Sequence, residues 1–374
     1  MPAISSIIEL LGDEFDFFIL TRDRDLHDRE PYWTVQPDAW TKVGKSKVYY
    51  TADLSFLNLR RRVIEVGPDV IYLNSFFSRM STKLLIMRRL GLIPSCPVVM
   101  APRGELSEGA LNFKKGRKWL YTTLSLRLQL YRSVLWQASS QREATQIRRV
   151  LISSGKRSGI GAETVHVTPE PTTIDSSIPN LEHVSKIPGI ARFVFLARIS
   201  PIKNLGQAIR ELTGLTGEVS LDIYGPIEDA NYWVECQQHM TRAPANLKIN
   251  YCGSVPPYAV CSTLATYHFF VLPTRSENFG HVIFESLSAG CPVVISDQTP
   301  WSQVEERGAG WVVPLTNTRR WQAVLQTCVD MDEASYASMS QKASSLAQEW
   351  SQSPAIREDN LKLFLSAVSA SSTS

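Results

Sequence analysis

The residues best suited to chemistry lie in one stretch, VLPTRSENFGHVIFESLSAGCPVVISDQTPW, which reads as strand, loop, helix, turn and strand. Its loop holds Ser276, Glu277, Asn278, Phe279 and Gly280 where a helix is due to begin. Asn278 is a candidate N-cap. Gly280 lacks a side chain, so a ligand can approach backbone N–H groups at the positive end of the helix, a position that suits a diphosphate. Glu277 precedes the helix and Glu285 lies about two turns inside it. They are placed to reach two parts of one ligand, such as a sugar hydroxyl and a ribose, because carboxylates accept hydrogen bonds from diols. The plainer alternative is a glutamate that caps or decorates a surface helix.

A second segment, FLARISPIKNLGQAI, ends a strand and carries Arg198 and Lys203 in the loop before a helix. Two cations on such a loop can neutralise a leaving diphosphate, although solvated loop charges would look the same in isolation. Tyr224-Gly225-Pro226 and Gly253-Ser254-Val255 end the neighbouring strands and could wall a nucleotide base; turn chemistry explains them equally well. Asp23, Asp25 and Asp28 in TRDRDLHD invite a metal reading, but they lie in the other half of the chain and no metal site is expected. His27, His166, His268 and His281 are isolated, without HExxH or another ligand spacing, and read as structural. The six cysteines show no CxxC, several sit in apolar runs, and they read as reduced, mostly buried thiols.

These residues need a scaffold of parallel strands. The second half alternates short β-branched runs (RFVFLARI, VSLDIYG, LKINYCG, HFFVLPT, PVVISD, GWVVPL) with helical segments near Asn204 to Leu212, Ala230 to Met240 and Phe279 to Ala289. Such a βαβ rhythm makes a sheet buried on both faces, whose ligands bind beyond the carboxyl ends of its strands. The first half repeats the rhythm less clearly in FDFFIL, DVIYLN, PVVMAP, VLWQAS and TVHVTP. At 374 residues, 44% hydrophobic and 20% charged, the chain has the profile of two globular domains. The boundaries expected are 1–180, 190–352 and a helix with tail at 353–374, with a linker around 171–189. In the tail, Leu361, Phe364, Leu365 and Val368 fall on one helical face.

Charge divides unevenly. Up to Lys186 there are 26 Lys and Arg against 19 Asp and Glu, and beyond it 13 against 17. The basic half suggests an anionic neighbour, a lipid surface or a phosphate-bearing acceptor. No RNP motif or zinc-finger spacing nominates a nucleic-acid reader. The N-terminus MPAISSIIELLGDEFDF lacks a basic segment followed by an apolar run, and no window approaches about 18 uncharged apolar residues. The expected location is the cytosol, soluble or adsorbed at the inner face of a membrane.

Glu277 and Glu285, spaced Glu-x7-Glu and followed by SAGCPVVISD, resemble the donor signature of family 4 retaining glycosyltransferases of the GT-B fold. The resemblance covers most of the chain and is strongest from Arg192 to Pro314. It implies an α/β architecture of two Rossmann-like domains facing across a cleft, with the nucleotide-sugar donor bound mainly by the second and the acceptor by the first. It implies Glu277 on the transferred sugar, Glu285 on the ribose, the backbone of Asn278, Phe279 and Gly280 on sugar and diphosphate, and Arg198 and Lys203 on the diphosphate. MAPRGELSEGALNFKKGRKWLY resembles the acceptor-side region, which puts Arg103 and Gly104 toward the acceptor. Lys114, Lys115, Arg117 and Lys118 with Phe113, Trp119 and Leu120 then compose a basic amphipathic helix, suited to anionic lipid or simply solvated. Asn74 and Ser75 stand where many members carry a His-containing loop. Members also usually open with a short strand and a Gly-rich turn, whereas this sequence starts at what reads as the first helix; either the start is truncated or the architecture differs. The implied reaction is transfer with retention from a nucleotide diphosphate sugar to a glycan, lipid-linked or small-molecule acceptor, without an essential metal or other cofactor. The alternatives are a catalytically impaired nucleotide-sugar-binding protein, or an epimerase or hydrolase of the same fold.

Overall fold

The computed structural model describes residues 2–24, 30–112, 115–153, 164–174 and 184–371, in two compact units. Asp25, His27, Asp28, Phe113 and Lys114 lie outside the described residues, as does much of the expected linker. The first unit comprises residues 1–172 and 354–374, and the second 173–353.

In the first unit, β1 (Phe17–Arg22), β2 (Trp40–Val43) and β3 (Ser46–Thr51) form a sheet of order β1-β3-β2, parallel between β1 and β3 and antiparallel between β2 and β3. A second, all-parallel sheet follows in order β4-β5-β6-β7: Ile71–Asn74, Val98–Ala101, Val134–Ala138 and Val165–Val167. Val98, Val99, Met100 and Ala101 are all buried, as a strand covered on both faces requires. The C-terminal helix Pro354–Ser371 belongs to this unit. Its buried stripe is Ile356, Asn360, Leu363, Phe364 and Ala367. Leu365, expected on the apolar face, is exposed, because helical geometry turns it about 100° from Phe364. Phe364 instead meets Phe15, Phe17 and Tyr72.

The second unit is a single parallel sheet of order β10-β9-β8-β11-β12-β13. Its strands are β8 (Ile190–Leu196), β9 (Glu218–Tyr224), β10 (Leu247–Gly253), β11 (Phe269–Leu272), β12 (Val293–Ser296) and β13 (Gly310–Val313). Every residue of β11 and β12 is buried, and each large apolar side chain so covered contributes about 1.5 to 3 kcal/mol. Chain progress runs outward from β8 in one direction to β10 and, after a crossover to β11, in the other to β13. The strand order therefore reverses between β8 and β11, and a crevice opens at such a switch point. Helices Leu205–Leu212, Ala230–Met240 and His281–Ser288 lie close to the expected ranges. Lys186 anchors the start of the unit: its buried ammonium donates to the carbonyls of Ile187, Val329 and Met331, at the end of helix Thr318–Asp330.

Candidate functional site

The loops that leave β8, β11 and β12 are tied together at the switch point. Asn204, at φ 61° before helix Leu205–Leu212, donates through Nδ2 to the carbonyl of Pro273 at 3.0 Å and to Gln207 Oε1 at 2.7 Å. The Thr274 hydroxyl and the Arg275 N–H both donate to the Ile202 carbonyl, at 3.1 and 2.8 Å. Ser296 Oγ donates to the Thr274 carbonyl at 2.6 Å, and the Glu277 N–H to that of Gln298 at 3.0 Å. These bonds fix the backbone on which the charged side chains stand.

On that frame Lys203 Nζ meets Glu277 Oε2 at 2.5 Å, with the two side chains 14% and 13% exposed. The structure thus brings together one nominated cation and the nominated catalytic carboxylate. Arg198 leaves the same loop in another direction and pairs with Glu228 at 2.5 Å, both side chains about half exposed. An ion pair in that setting contributes little, whereas the shielded Lys203–Glu277 pair is screened far less.

Gly280, not Asn278, occupies the N-cap of helix His281–Ser288. Its φ of 85° is open to glycine, and a Cβ there would lie 2.8 Å from Ile283 Cδ1 and 3.0 Å from Glu277 Cγ. As a glycine, Gly280 brings no capping side chain to this helix. Asn278 therefore belongs to the loop rather than the cap. Phe279 is buried, its ring against Trp301 and Trp350, while its carbonyl accepts from Trp301 Nε1 at 2.6 Å. Its side chain is core, so only its backbone remains for a ligand. Neither tryptophan was nominated from sequence. Their apolar character reads as packing, and the indole-to-carbonyl bond joins residues far apart in the chain.

Glu285 stands on the same helix, half-buried, and its carboxylate hydrogen-bonds none of the described residues. Burial pushes its carboxyl above the usual range, partly offset by His281. The carboxylate is only partly desolvated and its oxygens stay open to solvent, so ligand hydroxyls can take the place of water there.

Of the flanking loops, Tyr224 turns its hydroxyl to that of Tyr267 at 2.9 Å, and Tyr267 donates to Asp222 at 2.7 Å. Gly225, at φ 131°, donates to the Gly253 carbonyl at 2.8 Å, and a Cβ on it would lie 2.0 Å from the Ala197 carbonyl oxygen. Gly253 at φ 77° has open space around it, Ser254 is exposed and Val255 half-buried against the core. Gly225 thus serves close strand packing, and the rim is left to Gly253, Ser254 and Val255.

In the first unit the four nominated residues gather at the carboxyl ends of β4 and β5. Arg103 Nε donates to Asn74 Oδ1 at 3.2 Å and Nη2 to the Tyr72 hydroxyl at 2.7 Å, while Nη1 pairs with buried Glu170 at 2.6 Å. Tyr72 in turn donates to Gln137 Oε1. The Ser75 hydroxyl donates to Glu105 at 2.8 Å, and that carboxylate also accepts from the N–H groups of Phe76 and Phe77. Gly104 N donates to Glu143 at 2.6 Å, and Glu143 also accepts from Ser139 N and Oγ. Ser75 and Arg103 hold φ of 81° and 55°, a strained state for residues with a Cβ, and these carboxylates secure it. Burial raises the Glu143 carboxyl, against its three hydrogen bonds, and raises the Tyr72 hydroxyl to about 12. Burial alone would lower the Arg103 guanidinium, but Tyr72, Glu170 and Glu143 hold it above its ordinary value. Sequence reasoning missed Tyr72, Glu105, Glu143 and Glu170; only Glu170, between two prolines, stood out locally.

Asp23 is buried and committed to Arg24 at 2.8 Å. Among the described residues no group of three His, Cys, Asp or Glu is placed to hold a metal ion. All six cysteines are free, four of them buried, with Cys252 exposed and Cys261 intermediate. No described helix is long and apolar enough to cross a membrane.

Residues 182–345 match the family model described as Glycosyl transferases group 1. No curated protein matches the chain. Among solved structures, Anabaena HepE in complex with UDP and glucose superposes with a TM-score of 0.63 at 18% identity, over 87% of this chain and 86% of that one. Sucrose-phosphate synthase from Thermosynechococcus elongatus gives 0.68 at 13% identity, over 98% and 93%. A UDP-forming α,α-trehalose-phosphate synthase from Burkholderia xenovorans, complexed with glucose-6-phosphate, gives 0.67 at 11% identity, over 98% and 96%. The fold is GT-B, with two Rossmann-like domains.

Proposed function

We propose, from the premise that residues 182–345 form a group 1 glycosyltransferase domain, that the protein transfers a sugar with retention from a nucleotide diphosphate donor to a glycan, lipid-linked or small-molecule acceptor. The observation that carries the reading is the shielded Lys203–Glu277 pair at the switch point, followed by Glu285, whose carboxylate hydrogen-bonds none of the described residues. The diphosphate lies against the N-terminus of helix His281–Ser288, where the backbone at Asn278, Phe279 and Gly280 and the helix dipole favour negative charge. Glu277 takes hydroxyls of the transferred sugar and Glu285 those of the ribose. Gly253, Ser254 and Val255 border the base, beside Tyr224 and Gly225.

As the glycosidic bond breaks, charge develops on the leaving diphosphate. Lys203, already aimed into the site, shifts from Glu277 toward that charge, and Arg198 leaves its exposed pair with Glu228 to join it. These cations supply the positive charge that a metal would otherwise provide. The diphosphate itself assists deprotonation of the acceptor hydroxyl, which attacks from the same face and so retains the configuration. The acceptor side is built on Asn74, Ser75, Arg103 and Gly104. The reaction takes place in the cytoplasm, at or near an anionic membrane face.

Turnover of a panel of radiolabelled nucleotide diphosphate sugars, with and without added acceptor lipids and glycans, tests the reading. Acceptor-dependent release of nucleoside diphosphate, with the anomeric configuration retained by NMR, is expected. Release without acceptor would point to a hydrolase, and interconversion of the donor to an epimerase. Lys203→Ala should depress turnover far more than it loosens acceptor binding; equal, small effects would sink the assignment of Lys203.

A further inference from the structure

The first unit carries a surface that the sugar-transfer site does not use. Residues 70–142 contain twelve Lys and Arg against two acids, Glu105 and Glu108. Glu105 is spent on Ser75, Phe76 and Phe77. Within this stretch runs helix Lys115–Arg127, continued by a turn in which the Leu128 N–H donates to the Leu124 carbonyl at 2.9 Å. One face of the helix packs inward: Ser125 and Leu126 are buried, and the Tyr121 hydroxyl bonds Thr82 and Tyr131.

The opposite face is apolar and uncovered. Leu120, Leu124 and Leu128, one turn apart, are 52%, 48% and 60% exposed, with Trp119 on the flank at 66%. Arg117 and Arg127 share that face at helical spacing, and both are exposed. The stripe extends sideways. Arg88 donates to the Arg132 carbonyl at 2.9 Å, which sets the end of helix Arg79–Arg89, with exposed Arg89, Leu90 and Leu92, beside the turn after Leu128. Leucines and a tryptophan bordered by arginines, with no acid among them, match the interface of a bilayer that bears negative headgroups, where apolar side chains sink to the acyl boundary and cations stay with the phosphates.

We infer that this face is a docking surface for an anionic lipid bilayer, with Trp119, Leu120, Leu124 and Leu128 inserted and Arg117, Arg127, Arg89 and Arg132 on the headgroups. It deepens the proposed function by naming the surface on which the acceptor side works, and it is testable without catalysis. The purified full chain should float with vesicles of phosphatidylcholine containing about 30 mol% phosphatidylglycerol at least about tenfold more than with phosphatidylcholine alone. Raising NaCl from about 0.1 to about 0.5 M should remove most of that preference. Leu124→Glu/Leu128→Glu, at exposed positions where no cavity is created, should keep the circular dichroism spectrum and lose about tenfold or more of vesicle binding. Arg117→Ala/Arg127→Ala should lower binding to anionic vesicles and narrow their advantage over neutral ones. Absence of vesicle binding by the unaltered chain, equal binding to both vesicle types, or leucine-variant binding equal to that of the unaltered chain would overturn the inference. Self-association abolished by the leucine variant, with no vesicle binding, would overturn it too, by assigning the stripe to a second copy of the chain. Titration of the same preparations with nucleoside diphosphates reads the sugar-donor site separately, so the two readings fail independently.

Discussion

At the carboxyl ends of β8 and β11, Lys203 and Glu277 pair while the carboxylate of Glu285, on the helix that follows, hydrogen-bonds none of the described residues. At the carboxyl ends of β4 to β7, Arg103 is divided among Tyr72, Asn74 and Glu170, and Glu105 and Glu143 accept at least three hydrogen bonds each. Both regions sit where an open α/β sheet holds ligands, and both concentrate charge. In the first unit that charge is neutralised internally and holds two strained loops. In the second, Glu285 is partly desolvated and has no hydrogen-bond partner among the described residues, so its carboxylate stays open to a ligand. A cluster of charged residues at strand ends is thus no sign of binding by itself.

The largest effect that would sharpen this contrast is on stability in the first unit. Arg103→Ala removes the guanidinium that meets buried Glu170 at 2.6 Å and also bonds Asn74 and Tyr72, and should cost about 3 to 5 kcal/mol, read as a shift in the urea unfolding midpoint. A loss under about 1 kcal/mol would mean that the network is not structural. In the second unit the corresponding change also acts on chemistry: Lys203→Ala should lower sugar transfer by about a hundred- to a thousandfold, beyond whatever stability it loses by leaving the shielded Glu277 without its cation.

What the sequence made legible divides along the same line. Helix Ala230–Met240 and the six strands of the second unit follow from apolar runs and turn residues. Glu277 and Glu285 announce themselves by spacing along one short segment. The β2–β3 hairpin stayed hidden because Lys42 and Lys47 interrupt its apolar pattern and pair opposite each other. Asn278 looked like a cap because Asn favours caps generally; the positive φ of the true cap is met by Gly280. The Arg103 network was illegible because its partners come from four strands and their loops, so no local spacing records them.

Smaller effects separate the regions by pH. The Glu285 carboxyl is raised by burial above its ordinary 4.5. The folded chain therefore keeps that proton where the unfolded chain has released it, and stability from this group falls as pH rises from 4.5 through the folded value. Glu285→Gln should flatten that decline in melting temperature against pH; an unchanged slope would show the carboxylate to be solvated. The smallest effect is expected at the exposed Arg198–Glu228 pair, where Glu228→Ala should change stability by less than about 1 kcal/mol, and a larger loss would mean that Arg198 is held more firmly than its exposure implies.

The measurement closest to the central contrast is calorimetric titration of the full chain with a panel of nucleoside diphosphates, repeated on Glu285→Ala and Asn74→Ala. The account predicts that at least one diphosphate binds, about tenfold more weakly to Glu285→Ala and equally well to Asn74→Ala. It would be contradicted if no diphosphate bound the unaltered chain, or if the two substitutions weakened binding alike.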